Sequence, residues 1–477
     1  MRRTKIIATL GPATDGIDAQ RELLRAGVDV VRINFSHGDL AKHEARVGEV
    51  RQAAQEVGRY VAILGDLQGP KIRIQRFRQG SITLVEGQEF VLDTSLAADA
   101  GDERTVGVAY TSLANDVSPG DTLLLDDGQI KLSIGAVAGP RIVCTVQVGG
   151  VLGDNKGINR QGGGLSAPAL TEKDKDDLKH AARMGFDWIA VSFVRSAADL
   201  TEARRYLDDA GSNARIVAKI ERTEAVDQLE AIIDASDAVM VARGDLAVET
   251  GYAGLTGLQK RIIRTTRRRH KVSITATQMM ESMIHSQVPT RAEVSDVANA
   301  VMDGTDAVML SAETAVGEFP VKAVAAMAEV CIGAETYHHS ASPMSRHRME
   351  DRFGRVDEAV AMASMYAANH LDVQAIIALT ESGSTPLWMS RIRSDIPIFA
   401  LARHPETLRR IALYRGVYPI AFDAVHSEPK RLYQDVFETL IGMDQVHVGD
   451  LVILTKGDME GVSGGTNALK ILRVTGQ

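Results

Sequence analysis

The 477-residue sequence carries 54 Lys and Arg against 62 Asp and Glu, for a formal net charge of −8, with 45% hydrophobic and 24% charged residues. That length exceeds what one core can serve, so two or three domains are expected, and the ordinary apolar and charged fractions exclude disorder. The acidic balance argues against a nucleic-acid partner, whose footprint would be basic.

Only Cys144 and Cys331 are present, without the spacing of a disulfide framework or a zinc site. No signal-type leader or apolar run of membrane length is evident, which predicts a cytoplasmic protein with no membrane partner. One basic run, 261–271 with Arg264, Arg267, Arg268, Arg269 and His270, falls at the end of an expected helix. Cations there complement the helix dipole, and the run reads as a solvated helix end.

Taken in chain order, apolar runs that read as strands cover 5–10, 29–35, 60–67, 187–193, 215–221, 237–243, 271–277 and 305–311. Helical patterns alternate with them, for example 22–26, 43–57, 172–184 and 291–302. Eight strands alternating with helices predict a closed (β/α)8 TIM barrel, whose active site lies at the C-terminal strand ends. The alternation breaks once, after the third strand. From 69 to 167 the chain is rich in Gly and β-formers with turn signals at Asp127-Gly128 and Gly149-Gly150, which predicts an inserted small β-barrel lid domain. Its return, Gln161-Gly-Gly-Gly164, reads as a hinge.

The barrel is therefore expected over 1–68 and 168–336. A long helix at 321–336 and a polar linker at 337–356 follow. A C-terminal open α/β domain over 357–477 is built from helices at 357–370, 386–393 and 406–413 and strands at 375–380, 398–402 and 451–455. Within it, Thr380-Glu381-Ser382-Gly383-Ser384-Thr385 follows a strand and opens a helix, so its hydroxyls and amides suit a phosphate. A second turn, Gly461-Val-Ser-Gly-Gly465, would close over the same ligand.

The barrel strands end in charge: Arg32 and Asn34, Asp66, Lys219 and Glu221, Arg243 and Asp245, Thr277, then Ser311 and Glu313. Lys-x-Glu and Arg-Gly-Asp tripeptides in isolation are more often salt-bridged strand ends or turns. Here they recur at one expected rim. A lysine beside two carboxylates suits magnesium, which takes oxygen ligands, and an anionic substrate such as a phosphorylated acid.

Eight stretches in order carry a resemblance to a known family: Lys5-Ile-Ile-Ala-Thr-Leu-Gly-Pro12, Val31-Arg-Ile-Asn-Phe-Ser-His-Gly38, Gly69-Pro-Lys-Ile-Arg73, Lys219-Ile-Glu221, Met240-Val-Ala-Arg-Gly-Asp-Leu246, Ala276-Thr-Gln-Met279, Met309-Leu-Ser-Ala-Glu-Thr314 and Gly464-Gly-Thr-Asn467. Together they resemble pyruvate kinase, of bacterial type. The resemblance implies magnesium-dependent phosphoryl transfer from phosphoenolpyruvate to ADP, giving pyruvate and ATP, with Mn²⁺ as an alternative ion, in a homotetramer.

It implies Glu221 and Asp245 as metal ligands and Arg32 and Arg73 as phosphate forks. Lys219 would neutralise the migrating phosphoryl group. The Gly244 and Asp245 amides would receive the substrate carboxylate, and Thr277 would lie beside the enolpyruvate. Asn34, His37, Arg73 and Lys156, the last in Asn155-Lys-Gly157, would face the nucleotide.

Many family members bind potassium through groups matching Asn34, Ser36, Asp66 and the carbonyl of Leu67, and place an acid where this chain has Lys71. A fixed ammonium there supplies the cation's charge, and similar members with lysine are potassium-independent. The remaining groups are then a remnant of a potassium site. The 380–385 loop lacks the arginine of sugar-bisphosphate-regulated members, so a phosphorylated effector such as a monophosphate is implied. Two other readings stay open: a magnesium-dependent lyase or aldolase on the same barrel, and a catalytically silent metabolite sensor.

Overall fold

A computed structural model of the chain describes residues 1–341, 352–428, 430–458 and 464–476. The first strands are β1 (Lys5–Thr9), β2 (Val30–Asn34) and β3 (Ala62–Asp66). The inserted segment adds β4 (Ser81–Leu84), β5 (Glu89–Asp93), β6 (Thr105–Gly107), β7 (Thr122–Leu125), β8 (Ile130–Ala138), β9 (Arg141–Val148), β10 (Gly150–Gly153) and β11 (Ile158–Arg160). The chain returns through β12 (Trp188–Val191), β13 (Arg215–Ile220), β14 (Ala238–Ala242), β15 (Val272–Ala276) and β16 (Ala307–Leu310), and ends with β17 (Ala375–Leu379), β18 (Ile398–Ala402), β19 (Val417–Ala421), β20 (Leu451–Gly457) and β21 (Thr466–Arg473).

All eight runs expected to form the barrel do so, closing in the order β1-β16-β15-β14-β13-β12-β3-β2. Their continuous Val, Ile and Ala content follows from burial on both faces; β1, β3, β14 and β15 are buried at every position. Register is parallel, with Ile7 opposite Val30, Lys5 opposite Ala307 and Val217 opposite Ala238. Helix boundaries carry local signals. Asp39 Oδ1 accepts from Lys42 N at 2.9 Å at the start of the helix Leu40–Val57. Thr290 and Glu293 form a capping box before Arg291–Asp303, and Gly304 ends that helix at φ 93°.

The inserted segment is β-rich, as its composition predicts, with a six-stranded sheet in the order β11-β7-β8-β9-β5-β6 and a two-stranded pair β10-β4. Its core includes Phe90, Leu92, Leu132 and Ile142. The C-terminal sheet runs β19-β18-β17-β20-β21, parallel except for β21.

Two expectations change, and a third lies partly outside the described residues. The stretch read as a linker is partly helical: one helix, Pro320–Ala341, extends into it and the next, Val356–Ala368, begins at its end, while 342–351 lie outside the described residues. Residues 461–463 of the second glycine turn also lie outside them. The basic run at 261–271 is not simply solvated. Arg267 is half-buried and donates to the Arg391 carbonyl at 3.0 Å, and the His270 ring meets Trp388 at 4.5 Å.

The chain divides into two compact units, residues 1–65, 184–188 and 263–477, and residues 66–183 and 189–262. Asp66, Leu67, Lys71, Arg73, Lys156, Lys219, Glu221, Gly244 and Asp245 fall in the second, and Arg32, Asn34, Ser36, His37, Thr277 and the 380–385 loop in the first.

Candidate active site

In the second unit, β13 delivers Lys219 and, just past its end, Glu221. The Lys219 ammonium lies 2.9 Å from Glu221 Oε1 and 3.1 Å from Asp66 Oδ1, and donates to Ser192 Oγ at 2.6 Å. Glu221 and Asp66 are 2% and 1% exposed, so both charges depend on such partners. Glu221 Oε2 accepts the Phe193 N–H at 2.7 Å, with Phe193 at φ 54°. Burial pushes the Glu221 carboxyl above its ordinary range and Asp245 adds to the push, while Lys219 and the Phe193 amide oppose it.

The strand β14 passes directly into the helix Arg243–Thr250, so Gly244 and Asp245 occupy its first turn. Amides in a first turn point out of the helix end toward an anion. Asp245 Oδ1 lies 3.8 Å from Lys71 Nζ. Among the described residues no cluster of three or more His, Cys, Asp or Glu could hold a metal by itself. Two carboxylates completed by substrate oxygens are the usual magnesium arrangement. The electrostatic strain between Glu221 and Asp245 is what a divalent ion relieves, so these residues fit one.

Gly69, at φ 65°, lets the chain leave the barrel beside Ser192; an added Cβ would come within 2.9 Å of the Ser192 Cβ. Beyond it, Arg73 Nη1 donates to the Asn155 carbonyl at 2.8 Å and Lys156 pairs with Asp126 at 2.8 Å. The expected hinge is tethered: Gly162 N donates to the Glu249 carbonyl at 3.2 Å and Gly164 N to Glu224 Oε1 at 2.6 Å. The Leu67 carbonyl accepts Ser192 Oγ at 2.7 Å.

In the first unit, Arg32 Nη1 donates to Thr9 Oγ1 at 3.0 Å. Asn34 Oδ1 accepts the Ser36 amide at 3.0 Å, shaping the turn that carries an exposed His37. Thr277 and Gln278 follow β15 at φ 68° and 52°. A β-branched residue enters that region at a cost of about 1–3 kcal/mol, which a functional position justifies. Thr277 Oγ1 donates to the Ala276 carbonyl at 2.6 Å.

The 380–385 loop lines a cavity of about 60 Å³ together with Arg403, Lys456 and Gly464. Thr380 Oγ1 accepts the Gly383 amide at 3.0 Å, and Ser382 Oγ lies 3.3 Å from Ser384 Oγ. The Glu381 carboxylate faces Arg403 at 3.2 Å and His404 at 3.0 Å, and Thr385 bonds to Thr466 at 2.7 Å.

A family model described as the pyruvate kinase barrel domain matches residues 1–324, and a second, the pyruvate kinase alpha/beta domain, matches 358–472. The chain belongs to the pyruvate kinase family. It is 54% identical to pyruvate kinase II of Salmonella typhimurium over 99% of both chains and 53% identical to a pyruvate kinase of Haemophilus influenzae over 96% of both. A crystal structure of a pyruvate kinase from Cryptosporidium parvum, 33% identical, superposes with a TM-score of 0.91 over 99% of this chain and 96% of that one. The family makes the chain a phosphotransferase, a glycolytic kinase on a TIM barrel, and leaves neither a lyase nor a silent sensor as the reading.

In this pyruvate kinase family member, sequence reasoning missed Ser192 and the Phe193 amide, which hold the Lys219 and Glu221 groups. Their one signal is position, at the end of the fourth barrel strand. It also missed Arg222, Glu224 and Glu249, which surround the 162–164 return; no local pattern marks them.

Proposed function

We propose that the chain transfers the phosphoryl group of phosphoenolpyruvate to ADP with magnesium at Glu221 and Asp245, and that Arg32, Asn34, His37 and Thr277 take part in the reaction. The observation that carries this reading is the Lys219 ammonium held between two buried carboxylates and Ser192. Such a group is fixed before substrate arrives, which suits a reaction governed by positioning and charge.

The bound metal would supply Lewis-acid stabilisation of phosphoryl oxygens. The chain's own groups do the rest. Arg32 and Arg73 present planar forks to phosphate oxygens. Lys219 meets the charge of the group in transit, and the amides of Gly244 and Asp245 receive the carboxylate. Thr277, locked by its backbone, orients the proton delivery to the enolate carbon. Asn34, His37 and Lys156 bind the nucleotide, with Lys156 released from Asp126 as the inserted 69–167 lid moves.

Lys71 beside Asp245 supports turnover without potassium. The 380–385 loop with Arg403 and Lys456 supports binding of a phosphorylated activator on the 357–477 domain. A cytoplasmic homotetramer completes the proposal, and light scattering tests the assembly. A coupled assay tests the reaction: pyruvate should form from phosphoenolpyruvate only with ADP and magnesium, and formation without ADP would overturn it.

A further inference from the structure

In the second unit, the residue after Glu221 is an arginine whose side chain is almost fully buried. Removed from water, it needs partners for its charge and its donors. Arg222 Nη2 donates to the Leu165 carbonyl at 2.8 Å and to Glu224 Oε1 at 3.1 Å, while Nε lies 3.9 Å from Glu249 Oε1.

These partners lead to different elements. Leu165 belongs to the return of the inserted segment, and Glu224 accepts the Gly164 amide of that return at 2.6 Å. Glu249 sits one turn beyond Asp245 on the helix Arg243–Thr250. Its carboxylate accepts the Thr223 amide at 3.0 Å, and its main-chain carbonyl accepts the Gly162 amide at 3.2 Å. One guanidinium thus stands where the peptide after Glu221, the helix bearing Asp245 and the returning chain meet.

The return has little stiffness of its own. Gly162, Gly163 and Gly164 stand at φ 85°, 81° and 93°, a region that glycine enters freely. Their place is set by the bonds to Glu249 and Glu224 and, from the inserted segment, by Arg160, which donates to the Gly163 carbonyl at 3.1 Å and to Asp121 Oδ1 at 3.0 Å. The link from Arg222 to Glu249 is the slack one: 3.9 Å exceeds a hydrogen bond, and Nε makes none among the described residues.

We propose that Arg222 is a positioning residue, fixing the spacing of Glu221 and Asp245 for the metal and coupling that spacing to the return of the inserted segment. The inference rests on the reading that magnesium binds at these two carboxylates. Drawing them onto one ion closes the gap between Arg222 and Glu249, so metal binding and the tether of 162–165 strengthen each other. A lysine in this place keeps the charge but offers its donors from one atom, and cannot serve Leu165 and Glu224 together with Glu249.

Manganese binding to the full chain without substrate, read by electron paramagnetic resonance, tests this at pH 8, where Glu249, pushed up to about 7 first by burial, is ionised. Arg222→Lys should bind the ion about fivefold more weakly or worse, with an unchanged thermal midpoint. In the unaltered protein, manganese should slow hydrogen exchange at the Gly162 and Gly164 amides by a similar factor, and in Arg222→Lys it should not. Because truncating one partner of a buried pair can prevent folding, Arg222→Met joined to Glu249→Gln removes both charges at once and should show the same two losses. Equal manganese affinity in parent and variants, or exchange at 162–164 indifferent to manganese in the parent, would overturn the role of Arg222. A parent that binds no manganese, or binds it as well after Glu221→Gln, would overturn the metal reading itself and this inference with it.

Discussion

Replacing Lys219 with methionine removes the ammonium while keeping most of the side-chain volume. The ammonium stands 2.9 Å from Glu221 and 3.1 Å from Asp66. At an effective dielectric of about 20, each attraction is worth ~5 kcal/mol before desolvation is counted. Most of that offsets the burial of three charges, so the useful figure is the cost of leaving two nearly inaccessible carboxylates without this cation. Breaking buried pairs in that way costs ~3–5 kcal/mol.

Denaturant unfolding should therefore show a lower midpoint for Lys219→Met at unchanged slope. Adding Glu221→Gln should recover part of the loss, because the two sites are in contact and their effects do not add. Turnover behaves differently. If Lys219 meets charge that develops in the transition state, kcat should fall about 10²–10³-fold with little change in KM, and the second substitution should not restore it. Steady-state rates with phosphoenolpyruvate and ADP decide the matter. A variant that keeps turnover within threefold of the parent would remove Lys219 from the mechanism, and one with an unchanged midpoint would refute the electrostatic account.

Lys71→Glu should make activity depend on potassium; rates in tetramethylammonium buffer should fall and recover on adding the ion, and loss without rescue would contradict the role given to Lys71. Glu249 is pushed up to about 7, first by burial and then by Glu224, against Arg222, the Thr223 amide and Asn159. The unfolded chain ionises this carboxyl near 4.5, so the folded state loses ~3 kcal/mol between pH 4.5 and 7 and no more above. Glu249→Gln should flatten that decline, most visibly as slower proteolysis at 162–164 at pH 8; parallel pH profiles would count against it. Gly383→Ala, at φ 83° with its Cβ 2.5 Å from Ile411 Cγ2, should disturb the 380–385 loop and weaken any activation by phosphorylated metabolites while basal kcat holds.

The barrel was legible because a strand buried on both faces can hardly be written except as a continuous apolar run, and the chain repeats that run eight times. Two C-terminal strands were not. In β19, Pro419 breaks the usual strand signature, and it is tolerated because β19 is an edge. At the other edge, β21 carries Lys470 and Arg473 and is largely exposed, so nothing in its composition demands a sheet. At the site, the residue types of Lys219, Glu221 and Asp245 announced charge at strand ends. That Asp66 shares the lysine could not be read, because their pairing depends on how far each strand runs before it ends. The buried pair of Arg391 and Asp306, 85 residues apart in sequence, is invisible for the same reason.

The inserted β segment leaves and returns through neighbouring staves. Leu67 N donates to the Ala190 carbonyl at 3.0 Å, and Asp187 N to the Ile63 carbonyl at 3.0 Å. The excursion between them is about fivefold longer than an ordinary crossover, yet the entropy of closing so long a loop grows only logarithmically, by ~1–2 kcal/mol. A whole extra module can thus be carried by an eight-stave scaffold for little more than the worth of one hydrogen bond. The steeper demand falls on kinetics, since two adjacent staves must find each other across more than a hundred intervening residues before the ring can shut.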